Sequence, residues 1–220
     1  DALAMVPSSA PSASLCSAPA MLAKLCQAAE QRLDPAVQCA ALMVLAHQSA
    51  AMPTGVGALV LMLLRLFETN GEIADKLVEV ALRVRPVEEL AEATVKHPGG
   101  QLLCEVLLQV LNGGGEAERL QASRILASCL ALDGSEELLY TNDVRVLVEI
   151  LLREVPRHAG DEEARHAACL RALLARCPEA RKHRRDDLAL MLEDMRCADG
   201  GTAAVRGLCR EALAALAQSP

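Results

Sequence analysis

At short intervals along this chain a proline, glycine or asparagine interrupts the sequence, and between the interruptions runs an apolar-rich segment with helical rather than alternating periodicity. That punctuation constrains the fold more than any other feature. Asp34-Pro35 and Arg85-Pro86 place proline at a first helical position, and Asn70-Gly71, Pro98-Gly99-Gly100, Asn112 to Gly115 and Gly200-Gly201 supply breaks. The spacing predicts helices near 19–32, 35–49, 55–68, 71–84, 86–96, 100–111, 115–132, 135–140, 142–154, 161–176, 184–196 and 202–217. No strand-like alternation bounded by paired turns is present, so the chain reads as all-α.

Short connections between so many helices call for a bundle or a solenoid. DPAVQCAALMVLAHQ, GEAERLQASRILASCLA, DEEARHAACLRALLARC and GTAAVRGLCREALAALA share a charged or small start and a small-residue-rich helix. Taking Val37, Leu120, Ala164 and Val205 as equivalent gives a period of roughly 42 if one divergent unit is hidden, within the armadillo and HEAT range. The expected architecture is an armadillo/HEAT-like α-solenoid over residues 19–217, with an irregular helical bundle as the alternative. Residues 1–18 read as a linker from a longer protein, lacking the basic flank and continuous apolar run of a signal peptide.

Composition excludes several functions. With one Phe, one Tyr and no Trp, the core must be leucine, alanine and valine. A net charge of −7 and a pI near 5.3 argue against a general nucleic-acid binder. Residues 56–67, VGALVLMLLRLF, are too short for a membrane span and carry Arg65, which reads as a buried helix. The nine cysteines are expected as small core residues of a reduced, intracellular protein. His158, His166, Cys169, Cys177 and His183 lie within one short span, yet no Cys-x-x-Cys pair or compact four-ligand spacing accompanies them, so neither metal nor cofactor is expected. No nucleophile elbow, phosphate loop or metalloprotease motif is present, and the chain is read as a non-enzyme.

The helix after the lone tyrosine is the most informative segment. Thr141 or Asn142 is placed to cap it, Asp143 suits the positive end of its dipole, and Pro156 stops it. Its apolar residues cover most of the circumference and leave Arg145, Glu149 and Arg153 as a narrow polar edge, either an ion-pair ladder or a docking surface. Tyr140 reads as an anchor packed under the preceding helix, with partner contact as the alternative. The segment 141–185 carries 10 basic against 7 acidic residues, unlike the acidic remainder. Its densest run, Arg181, Lys182, Arg184 and Arg185 around His183, is either a solvated loop or a patch for an acidic partner.

Tyr140-Thr141-Asn142-Asp143 followed by VRVLVEILLRE resembles the YTND-x-x-VLxDIxxR signature of the leucine-rich, armadillo-like domain in the WISH/DIP family, which includes the Nck-interacting SPIN protein of animals and the Dip and Ldb proteins of fungi. Leu111-Asn112-Gly113-Gly114-Gly115-Glu116 resembles the family's Leu-Asn-Arg-Gly-acid turn upstream. The resemblance covers residues 101–195. Leu138-Leu139 stand where the family commonly has aromatics, Glu149 replaces an Asp, and Gly113 replaces the turn's Arg. It implies a cytoplasmic regulator of the actin cytoskeleton that binds the Arp2/3 complex and activates it without a preformed filament, nucleating linear filaments. Actin itself would be engaged indirectly, and a homodimer is left open. An armadillo scaffold holding a peptide, with no actin-nucleating role, is the other reading.

Overall fold

A computed structural model describes residues 35–48, 56–69, 74–157, 161–198 and 201–218. The expected linker 1–18 and the helix expected at 19–32 lie outside the described residues. Described are α1 (Pro35–Gln48), α2 (Val56–Thr69), α3 (Ala74–Arg83), α4 (Val87–Lys96), α5 (Gly100–Gly113), α6 (Glu116–Leu130), α7 (Thr141–Glu154), α8 (Asp161–Arg176), α9 (Pro178–Lys182), α10 (Arg185–Cys197) and α11 (Ala203–Ala217). Two 3-10 turns, Ser135–Glu137 and Val155–Arg157, flank α7. No strand occurs among the described residues.

The helices contact one another in two rows. Along one row α2 touches α4, α4 touches α6, α6 touches α8 and α8 touches α11. Along the other, α1 touches α3, α3 touches α5, α5 touches α7, and α7 touches α9 and α10. Sequence-adjacent helices such as α5 and α6, or α10 and α11, join the rows. Buried residues from both rows form one continuous core, in which Leu63, Leu77, Leu90, Leu107, Ile125, Leu147 and Leu170 are fully enclosed. Each such side chain contributes roughly 1.5–3 kcal/mol by leaving water, so the core needs no aromatics beyond Phe67. Ala81, Ala91, Ala122, Ala172 and Ala212 are buried where a larger side chain would hold helices apart.

Four details of the expected organisation change. Val37 lies in α1, in the other row from Leu120, Ala164 and Val205, so it is not their equivalent. The repeat shortens toward the N-terminus, because α2, α4 and α6 begin at Val56, Val87 and Glu116 whereas α8 and α11 begin at Asp161 and Ala203. The expected helix 135–140 is only a 3-10 turn, entered through Gly134 at φ 83°, a backbone state that favours glycine. Pro86 sits one residue before α4, as its N-cap.

The α4–α5 connection is the tightest. A Cβ on Gly100 would stand 1.9 Å from the Thr94 carbonyl oxygen, and one on Gly99 would stand 2.3 Å from that of Leu64. Neither obstacle is a flexible side-chain tip, so the backbone itself must move. Gly113 has nothing within 4 Å of the equivalent position. Urea denaturation should therefore find Gly100→Ala destabilising by about 2 kcal/mol or more, while Gly113→Ala is neutral or stabilising by up to about 1 kcal/mol.

Candidate functional site: the exposed edge of α7

Helix α7 forms because Val144, Leu147, Val148, Ile150 and Leu151 recur at helical spacing and are all buried. Arg145, Val146, Glu149 and Arg153 are left facing solvent. Tyr140, extended at φ −67° and ψ 156°, is the N-cap, and its carbonyl accepts from the Val144 N–H at 3.0 Å. No side chain caps the helix. The caps expected from Thr141 and Asn142 are thus corrected: both lie inside the first turn, one or two positions too late for a side-chain oxygen to reach back. Asp143 keeps its place at the positive end of the dipole.

Tyr140 is also corrected. Its ring is 60% exposed rather than packed under a helix. Its hydroxyl donates to Gln101 Oε1 at 3.3 Å, and Gln101 Nε2 donates to the Glu137 carbonyl at 2.6 Å. The α5 glutamine therefore holds the approach to α7 while the aromatic face stays outside. Leu138 and Leu139, just before it in the chain, are buried.

The polar edge is not an i,i+4 ladder, because each member bonds a residue remote in sequence or a buried neighbour. Arg145 directs Nε and Nη2 to Glu179 Oε1 on α9, at 2.8 and 2.6 Å. Glu149 pairs with His183 Nε2 at 2.9 Å and with Arg184 Nη1 at 3.3 Å. Arg153 donates to Glu154 Oε1 at 2.7 Å and to Asn112 Oδ1 at 3.2 Å. The edge thus ties the C-terminal end of α5, at Asn112, to α7, and α7 to α9. The exposed pairs of Arg145 and Glu149 contribute at most about 1 kcal/mol each, so they order the surface more than they stabilise the fold, whereas Arg153 serves a buried carboxylate.

The basic run is not one solvated loop. Arg181 and Lys182 belong to α9, which Pro178 begins at the first helical position. Arg181 Nη1 donates to the carbonyls of Leu174 and Ala175 at the end of α8, and Arg185 Nη2 to that of Leu216 at the end of α11. Both cations therefore satisfy terminal helix carbonyls. Arg184 adopts φ 54°, a rare state for a residue with a side chain, and binds Asp187 Oδ2 at 2.5 Å besides Glu149. Lys182 remains exposed. The structure thus brings Arg145, Glu149 and Arg184 together, places Arg153 at the far end of α7, and turns Arg181 and Arg185 toward backbone. Sequence reasoning missed Gln101, Glu179 and Asn112. Pro178-Glu179, a helix-start signal, was the one available clue to Glu179.

Cys104, Cys129, Cys169, Cys177 and Cys209 are buried free thiols and Cys197 is exposed. Burial pushes Cys169 up to about 12 and Cys177 up to about 11, so both stay protonated near neutral pH. Among the described residues no group of three or more His, Cys, Asp or Glu is placed to hold a metal. His158 lies outside them. No described helix is long and apolar enough to cross a membrane.

Fold and edge together define an all-helical, leucine-rich domain with an ordered charged helix face. Residues 88–188 match the family model of the SPIN90/Ldb17 leucine-rich domain, so this stretch of the chain is similar to that domain. The match encloses the Asn112 turn, Tyr140, all of α7 and α9. No curated protein matches the chain.

Two outcomes follow from this geometry. Glu154 is a buried carboxylate held by Arg153, with Arg119 Nε a further 4.0 Å from its other oxygen. Arg153→Ala should therefore cost about 1–3 kcal/mol in chemical denaturation, whereas Asn142→Ala with Asp143→Ala should cost about 0.5 kcal/mol, the dipole contribution alone. In a time course of iodoacetamide labelling read by mass spectrometry, Cys197 should react well before Cys104, Cys129 and Cys169.

Proposed function

We propose that the two rows of helices form an armadillo-like α-solenoid and that this domain binds and activates the Arp2/3 complex, nucleating linear actin filaments without a preformed filament. The observation that carries the reading is the family match over residues 88–188, which includes the whole YTND-to-α7 segment. The surface there supports it. An exposed tyrosine, an exposed valine and two arginines lie along one edge, residue types that supply binding hot spots when a partner removes water from them.

Activation needs no covalent chemistry. A domain that binds the active arrangement of a multi-subunit target better than the inactive one shifts the population by that differential affinity. Moving an equilibrium from one part in a hundred to its reverse takes roughly 5.5 kcal/mol of preference, which a few hot-spot contacts can supply. The pre-pairing of Arg145 with Glu179 and of Glu149 with Arg184 holds these side chains in position, which lowers the entropy lost on docking. In this reading the protein works in the cytoplasm, at the actin cytoskeleton, and engages actin through the complex.

The test uses purified Arp2/3 complex and pyrene-labelled actin with no seeds or filaments. Adding the domain should shorten the lag of polymerisation. Tyr140→Ala with Arg145→Ala should leave the melting temperature within a few degrees and weaken Arp2/3 binding about thirtyfold, because about 2 kcal/mol of contact is lost. Binding and nucleation equal to the parent would remove this edge from the site. Capture of peptides with no effect on the lag would favour a scaffold.

A further inference from the structure

On the row opposite α7, helices α6 and α8 lie side by side with a furrow between them. A compartment of ≈ 290 Å³ is lined by Arg124 and Ala127 of α6, by Ala131 just beyond its end, and by Arg165, Ala168 and Arg171 of α8. A second, of ≈ 310 Å³, continues it past Ala131 and Arg171 toward Arg176. Short side chains keep the furrow open, and no carboxylate lines either compartment.

The cations of the first compartment are incompletely matched. Arg124 and Arg165 form no ion pair among the described residues. Among the described residues Arg171 reaches only Glu211, at 3.4 Å and itself largely exposed, and its buried Nε has no hydrogen-bond partner there. Burial, and after it the charge of nearby Arg124, lowers the Arg85 pKa. Arg124, Arg165 and Arg171 thus bring three positive charges to the compartment against one exposed carboxylate, Glu211, and a ligand carrying carboxylates relieves their mutual repulsion.

We propose that this furrow binds an acidic, extended peptide segment of a separate protein, with carboxylates received by Arg124, Arg165 and Arg171. Compartments of this size admit side chains and a single extended strand, not a helix some 10 Å across. From Arg165 to Arg176 the furrow runs roughly 16 Å, enough for about five extended residues. Guanidinium forks suit carboxylates in paired hydrogen bonds. A long polyanion such as nucleic acid is disfavoured, because α4, the next helix in the row, exposes Glu88, Glu89 and Glu92, and the whole chain carries −7. The chain's own N-terminal segment is not the occupant: residues 1–34 hold Asp1, Glu30 and Asp34 against Lys24 and Arg32, close to neutral. The furrow lies in the other row from the α7 edge, so the proposal stands whether or not that edge binds Arp2/3.

Fluorescence anisotropy of the full chain with fluorescein-labelled octaglutamate, octaglutamine and an eight-nucleotide oligothymidine tests this. Octaglutamate should bind saturably, weaken as salt rises, and exceed each of the other two by at least tenfold. Arg124→Glu with Arg165→Glu should weaken octaglutamate at least tenfold at unchanged helicity, and Arg124→Gln with Arg165→Gln serves if the reversed pair fails to fold. Arg83→Glu on α3, a reversal away from the furrow, should change affinity less than twofold. Equal binding of octaglutamine, preference for the oligonucleotide, no saturable octaglutamate binding, or an equal loss in Arg83→Glu would each overturn the proposal.

Discussion

The lateral contact between α6 and α8 is the interaction on which the rest of the structure depends. Leu126, Cys129 and Leu130 from one helix and Cys169, Leu170 and Leu173 from the other are all buried. The Ser123 hydroxyl reaches across to the Arg165 carbonyl at 3.5 Å. Close approach demands small residues between the leucines, which is why alanine and cysteine stand in both helices and serine in α6. Remove that approach and α7, which packs on α5 and α8, loses its seat.

From this contact two surfaces emerge by different routes. In the row of α5 and α7, a glutamine on α5 steadies the turn before α7, and α9 steadies its outer edge through Glu179, so a charged face is ordered over a buried apolar one. In the row of α6 and α8, the small residues that permit close packing also leave a furrow, and arginines from both helices line it. One compositional choice, leucine with alanine in place of aromatics, therefore serves the core and shapes the surface.

The helices were legible because each carries its own signal, an apolar period closed by proline or glycine. Helix α7 and its polar edge were legible for the same reason, since Arg145, Glu149 and Arg153 sit four residues apart. The five-residue α9 was not, being too short for a period and hidden in a run of charge. The edge's partners were not legible either: Glu179 lies 34 residues from Arg145 and Asn112 lies 41 from Arg153, and nothing local announces such pairs. The caps assigned to Thr141 and Asn142 failed because capping depends on which residue stands just outside the helix, and the backbone turns at Tyr140. The furrow needs two helices brought together before it exists, so neither sequence alone displays it.

On the proposed function, this domain starts linear filaments through the Arp2/3 complex. Two-colour single-filament microscopy tests it most directly, with labelled domain, unlabelled Arp2/3 complex and actin monomers cleared of filaments. The account predicts unbranched filaments, each with a labelled domain retained at its slow-growing end, in numbers that rise with domain concentration. Filaments that appear at the same rate without the domain, or only as branches on older filaments, would contradict it.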